Sequence, residues 1–122
     1  MAKLQVRLCC RVWFEHNGEY ILGPGVSRLI EKVNELGSLK RAAESLNMPY
    51  RGAWGRIKKA EKALGIPLLE GTSERQQGMK ASKEALELIA AYANLDRRCR
   101  KFLSAEADGF PYLEPKITDR DS

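Results

Sequence analysis

The stretch Leu46-Asn47-Met48-Pro49-Tyr50-Arg51-Gly52-Ala53-Trp54 decides how the chain is read. Leu39-Lys40-Arg41-Ala42-Ala43-Glu44-Ser45-Leu46, which leads into it, is a short amphipathic helix that Ser38 can cap, with two alanines small enough for close helix contact. Asn47 tolerates the left-handed backbone that ends a helix. Pro49 holds Met48 extended and suits the first turn of a new helix. Two helices joined by so short a turn cross steeply, as in a helix-turn-helix. The second runs over 49–64 to Gly65. Helical spacing gathers Tyr50, Ala53, Trp54, Ile57, Ala60 and Leu64 on one side, where Trp54 is expected to pack in the core. Arg51, Gly52, Gly55, Lys58, Lys59 and Lys62 gather on the other. Each glycine on a solvated helix face costs about 1 kcal/mol relative to alanine, so two of them there invite close approach by a partner, a DNA groove being one.

Working toward the amino terminus, Val26, Leu29, Ile30, Val33 and Leu36 recur at helical spacing and predict a helix over 26–36 closed by Gly37. Before it, residues 4–15 alternate between apolar and polar in the manner of a half-buried strand. Asn17-Gly18 supplies the positive backbone angles of a tight turn, Glu19 to Leu22 returns, and Gly23-Pro24-Gly25 stops the strand. The hairpin is thus expected over 4–22. Beyond Gly65, Pro67-Leu68-Leu69-Glu70 and Met79-Lys80-Ala81 are two short strands around a polar loop carrying Arg75, a wing over 67–81. Ser82 caps a long helix over 83–105, in which Ala85, Leu88, Tyr92, Leu95, Cys99 and Phe102 repeat at spacings of three and four. That apolar seam predicts a symmetric homodimer with Leu88, Tyr92, Leu95, Cys99 and Phe102 at the interface. The expected fold is mainly α with small β elements, a winged helix-turn-helix with an amino-terminal β-hairpin and a long carboxy-terminal dimerisation helix. It fills one domain over 1–106, and 107–122 reads as a tail.

Charge is unevenly placed. Of a net +5, the stretch from Ser38 to Lys83 holds ten basic residues against four acidic ones, so it is more positive than the whole chain. With 43% hydrophobic residues and 30% charged ones in 122 residues, the chain has enough apolar content for one core and none to spare for a second domain. No run of about 18 apolar residues occurs, and the first residues lack a secretory signal, so no membrane association is expected and the expected location is the cytoplasm. Cys9, Cys10 and Cys99 are an odd set without a C-x-x-C pair, expected as reduced, small core or interface residues rather than metal ligands. His16 stands alone beside the hairpin turn. No nucleophile-base set, metal motif or phosphate-binding loop is present, so no catalytic residue, metal or cofactor is expected, and the chain is not read as an enzyme.

At this point the residues resemble a known group. Leu46 to Trp54, continued through Ala63-Leu64-Gly65-Ile66-Pro67-Leu68-Leu69-Glu70, is similar to the DNA-binding region of the ModE and LysR groups of bacterial regulators. The hairpin segments Arg11-Val12-Trp13-Phe14-Glu15 and Ile21-Leu22-Gly23-Pro24-Gly25, together with Tyr50 and Ala53-Trp54, resemble ModE more than LysR; Gly37 to Ala43 fits both. The resemblance, over roughly residues 7 to 105, implies transcription regulation through sequence-specific binding of double-stranded DNA. The expected DNA-binding residues are Tyr50, Arg51, Gly52, Gly55, Lys58, Lys59, Lys62 and Arg75. In the ModE group molybdate is held by further carboxy-terminal domains, so molybdate binding is not expected of this chain alone. The alternative function is a winged-helix protein-interaction module without DNA readout, which a recognition face poor in positive charge would favour.

Overall fold

The computed structural model describes residues 6–71, 78–109 and 113–114. In chain order they form β1 (Val6–Arg7), β2 (Phe14–His16), β3 (Glu19–Leu22), α1 (Pro24–Leu36), α2 (Leu39–Ser45), α3 (Tyr50–Leu64), β4 (Leu69–Gly71), β5 (Met79–Ala81), α4 (Lys83–Ala107) and β6 (Leu113–Glu114). Three two-stranded sheets flank the helices: β2 with β3 and β4 with β5 are antiparallel, and β1 with β6 is parallel. This is a winged helix-turn-helix with an amino-terminal hairpin and a long final helix.

Local chemistry sets most boundaries. Gly37, at φ 77°, closes α1 by donating its N–H to the Val33 carbonyl at 2.7 Å. The Ser38 hydroxyl accepts from the Arg41 N–H at 3.1 Å and starts α2. Asn47 turns the chain with φ 56°, and the extended Pro49 leads into α3. α1 begins two residues earlier than its apolar repeat implies, because Pro24 already has helical φ and no N–H to satisfy in a first turn. Leu29, Ile30 and Val33 of α1 are fully buried against Ala42 and Ala43 of α2 and Ala53, Ile57 and Ala60 of α3. Each such aliphatic side chain contributes about 1.5–3 kcal/mol of burial.

The wing is fixed at its base to the end of α1. The Ala81 N–H donates to Asn34 Oδ1 at 3.0 Å, and the Met79 N–H donates to the Gly37 carbonyl at 2.8 Å. Gly78 lies so near that carbonyl that a Cβ there would collide with it. Ser82 then joins wing and helix: its hydroxyl accepts from the Ala85 N–H at 3.0 Å and donates to the Pro67 carbonyl at 2.9 Å.

Three expectations need correction. The strand expected over 4–15 is not continuous. β3 has four residues and can pair only with Phe14–His16, leaving 8–13 without regular structure and Val6–Arg7 paired elsewhere. The partner of Val6–Arg7 is Leu113–Glu114, within the stretch read as a tail, and α4 extends to Ala107 rather than 105. Cys9 and Cys10 are exposed, not core residues, because no alternating strand passes through them; Cys99 is half-buried.

Candidate nucleic-acid interface

α3 is held by a buried face of small residues. Ala53, Ile57 and Ala60 are each at most 2% exposed, which brings the helix close to α1, α2 and β3. That closeness leaves no space for an indole. Trp54, expected in the core, is instead 48% exposed on the shoulder of the helix, with the Lys58 ammonium 5.6 Å from its ring centroid. Tyr50, at the first turn, is 49% exposed.

The face turned away from the core carries Arg51, Gly52, Gly55, Lys58, Lys59 and Lys62, all exposed. Structure and sequence agree on their grouping. A Cβ on Gly52 or Gly55 would meet nothing within 4 Å, so neither glycine makes room for another part of the described chain. Among the described residues Arg51, Lys59 and Lys62 have no ion-pair partner, whereas Lys58 reaches Glu61 at 3.3 Å. Arg75 lies outside the described residues.

Glu61 is the residue sequence reasoning missed. Counted there as one acid among bases, it turns its Oε2 to the wing, accepting from the Leu68 N–H at 2.8 Å and the Leu69 N–H at 3.3 Å. Its Oε1 faces Lys58. One carboxylate therefore sets the angle between the end of α3 and the start of β4. The available signal was an isolated acid one helical turn after Lys58, just ahead of Leu64-Gly65-Ile66-Pro67-Leu68.

Along α4 the apolar seam divides. Ala85 is buried, Leu88 is half-buried against the core, and Tyr92 is 4% exposed beneath the chain's own hairpin. The Tyr92 hydroxyl donates to the Val12 carbonyl at 2.9 Å, and its ring meets Phe14 edge-on at 5.5 Å between centroids. Tyr92, expected at a dimer interface, is thus already packed inside the chain. Farther along, Leu95 is 43% and Phe102 63% exposed. With Cys10, Arg98, Cys99 and Leu103 they line an apolar groove of about 250 Å³. Its apolar walls push the Cys10 thiol above its ordinary value, neighbouring Cys99 and Asp96 add to the rise, and Arg100 opposes it.

Comparison with known proteins follows the same outline. Residues 27–85 match the family described as bacterial regulatory helix-turn-helix protein, lysR family. The molybdenum transport protein ModE of Herbaspirillum seropedicae is 30% identical over 77 residues, which are 62% of this chain and 29% of that protein. The chain therefore spans well under half the length of this relative. Full-length LTTR LysG from Corynebacterium glutamicum, solved with bound effector Arg, superposes with a TM-score of 0.55 at 22% identity, covering 74% of this chain and 31% of its own. ArgP from Mycobacterium tuberculosis gives 0.51 at 22% identity, covering 83% and 44%. At such identities the two structures speak for the fold. Residues 27–85 are thus similar to the helix-turn-helix domain of the lysR family.

Proposed function

We propose that the chain binds double-stranded DNA sequence-specifically, laying α3 in the major groove, and regulates transcription in the cytoplasm as a homodimer. A DNA-binding role in transcription regulation accords with the LysR-type domain and the ModE relative. The observation that carries the finer reading is the exposed α3 face, where four cations, of which Arg51, Lys59 and Lys62 have no ion-pair partner among the described residues, share the surface with two glycines of no use inside the described chain. A groove wall can come nearest the backbone at Gly52 and Gly55. Arg51, near the amino-terminal end of α3, is placed to reach a guanine edge with two hydrogen bonds, the usual position and pairing for a recognition helix. Tyr50 lies beside it. Lys58, Lys59 and Lys62 face phosphates, and Arg75 is assigned to the wing's contact with the minor-groove edge.

For the dimer, the distal half of α4 offers Leu95, Cys99 and Phe102, whereas Leu88 and Tyr92 are engaged within the chain. A second copy is the occupant favoured for this strip. A two-fold pair covers the same strip on both chains at once and presents two recognition helices about 34 Å apart or a multiple of that. The bound site is then an inverted repeat.

Selection of bound fragments from a genomic library, followed by affinity measurements over a range of salt, tests the reading. Arg51→Ala is expected to cost about 1–3 kcal/mol and relax specificity at one position, while Lys62→Ala weakens all sequences alike and lowers the salt slope by about one. Selected fragments that bind no better than random DNA, with no salt dependence, overturn it.

A further inference from the structure

We propose, resting on the DNA-binding reading above, that Trp54 is a specificity-determining residue of α3 that selects thymine by contact with its methyl group. Helical spacing places this indole in the core, so it entered no set of DNA-binding residues. In the structure it is half-exposed, and Tyr50, one turn earlier on the same flank, is exposed to the same extent. Two large rings left open to water on one flank gain little from folding and are of use where a second surface covers them. Arg51, three residues before Trp54, and Lys58, four after, are its neighbours on the helix surface. The indole thus borders the cationic face and is continuous with it, which favours a polyanion over an apolar protein surface as the occupant. The Lys58 ammonium lies over the ring, 5.6 Å from its centroid, and helps to fix its orientation.

Group chemistry selects the base. An indole offers one N–H donor and is otherwise apolar. Among the described residues no acceptor takes the Trp54 N–H, whereas that of Trp13 donates to Glu15 Oε2 at 2.8 Å. In the major groove thymine presents the O4 acceptor and the C5-methyl group, which suit both properties of the ring. Cytosine and adenine present an amine for which the indole has no acceptor, and guanine presents acceptors without a methyl. Burying an amine without a partner costs free energy, whereas burying a methyl gains it.

The full chain is titrated with a selected DNA site in which each thymine in turn is replaced by uracil, a change that removes only the methyl group. At least one single replacement should weaken binding by the parent about fourfold, which corresponds to about 0.8 kcal/mol for one buried CH2. Trp54→Ala should keep the parent circular dichroism, bind the thymine site more weakly and no longer distinguish uracil from thymine at that position. Lys59→Ala, which loses affinity through a phosphate, should keep the fourfold ratio. Uracil that costs the parent less than twofold at every position overturns the thymine contact, and so does a Trp54→Ala variant that retains the parent's ratio. An oligomeric state altered by Trp54→Ala in the absence of DNA also overturns it, a second copy being then the occupant of the flank. If no selected fragment binds better than random DNA, the DNA-binding reading fails and the thymine contact with it; specific binding indifferent to uracil refutes the thymine contact alone.

Discussion

Replacing Glu61 by alanine should separate the recognition helix from the wing, and its cost can be worked from the two hydrogen bonds it removes. The Leu68 and Leu69 N–H groups both lie on nearly buried residues, 1% and 8% exposed, so water cannot easily take the place of the carboxylate. A hydrogen bond to a charged group is worth about 1.5–3 kcal/mol, and a buried donor left unsatisfied costs about 1–3 kcal/mol. The 2.8 Å bond carries most of this, and the 3.3 Å bond adds a fraction, so Glu61→Ala should destabilise by about 2–4 kcal/mol. The Lys58 pair adds little, since the lysine side chain is 54% exposed and exposed pairs contribute about 0–1 kcal/mol. Glu61→Gln keeps a carbonyl acceptor and should lose less than half as much. For a chain of this size each kcal/mol corresponds to about 3–6 °C in unfolding temperature, so circular dichroism melts resolve the two variants. If both melt within a degree of the parent, Glu61 is not what joins α3 to β4.

Ser82, fully buried, both donates to Pro67 and accepts from Ala85, so Ser82→Ala should destabilise by about 1–3 kcal/mol in urea unfolding; an unchanged midpoint counts against its joining role. Gly52→Ala and Gly55→Ala should each raise stability by about 1 kcal/mol, because the added methyl meets nothing, yet weaken specific DNA binding; tighter binding along with the added stability refutes the close approach. Leu95→Asp combined with Phe102→Asp should give a monomer that keeps its helical signal and loses most specific affinity. Light scattering that shows the unmodified protein monomeric at micromolar concentration, and bound to a single half-site, rules out the dimer.

What was legible in the sequence was what neighbouring residues decide. Gly37, Ser38, Asn47, Gly65 and Ser82 each end or start a helix through their own backbone or hydroxyl, and each does so in the structure. The α3 face was legible too, because helical spacing alone groups Arg51, Gly52, Gly55 and the three lysines. Readings that depend on distant partners fared worse. Alternation over 4–15 promised a long strand, but a strand lasts only as far as its neighbour, and β3 has four residues. Trp54 shares an edge with the apolar side of α3, and only the tight packing allowed by Ala53 and Ala60 moves it out to solvent. The apolar seam of α4 is continuous as a pattern. Its division at Tyr92 comes from Val12 and Phe14, which are remote in sequence.

The exposed face of α3 makes the free protein less stable than it need be, and the size of that sacrifice separates structural from functional residues. Two helical glycines cost about 1 kcal/mol each, and like charges one turn apart, as Lys58 with Lys62 and Lys59 with Lys62, cost about 0.2–0.5 kcal/mol each. Part of this is offset within the chain. Lys62 sits in the last turn, where a cation gains about 0.3–1 kcal/mol from the helix carbonyls, and Lys58 has Glu61. Arg51, Gly52, Gly55 and Lys59 have no such compensation among the described residues. In the proposed DNA complex, phosphates beside Lys59 and a groove wall beside the glycines would turn the same features from a cost into a gain. Substitutions at Lys59 and at the glycines therefore report on DNA with least interference from folding, whereas Lys58 and Lys62 variants mix the two effects and need a stability measurement beside every affinity.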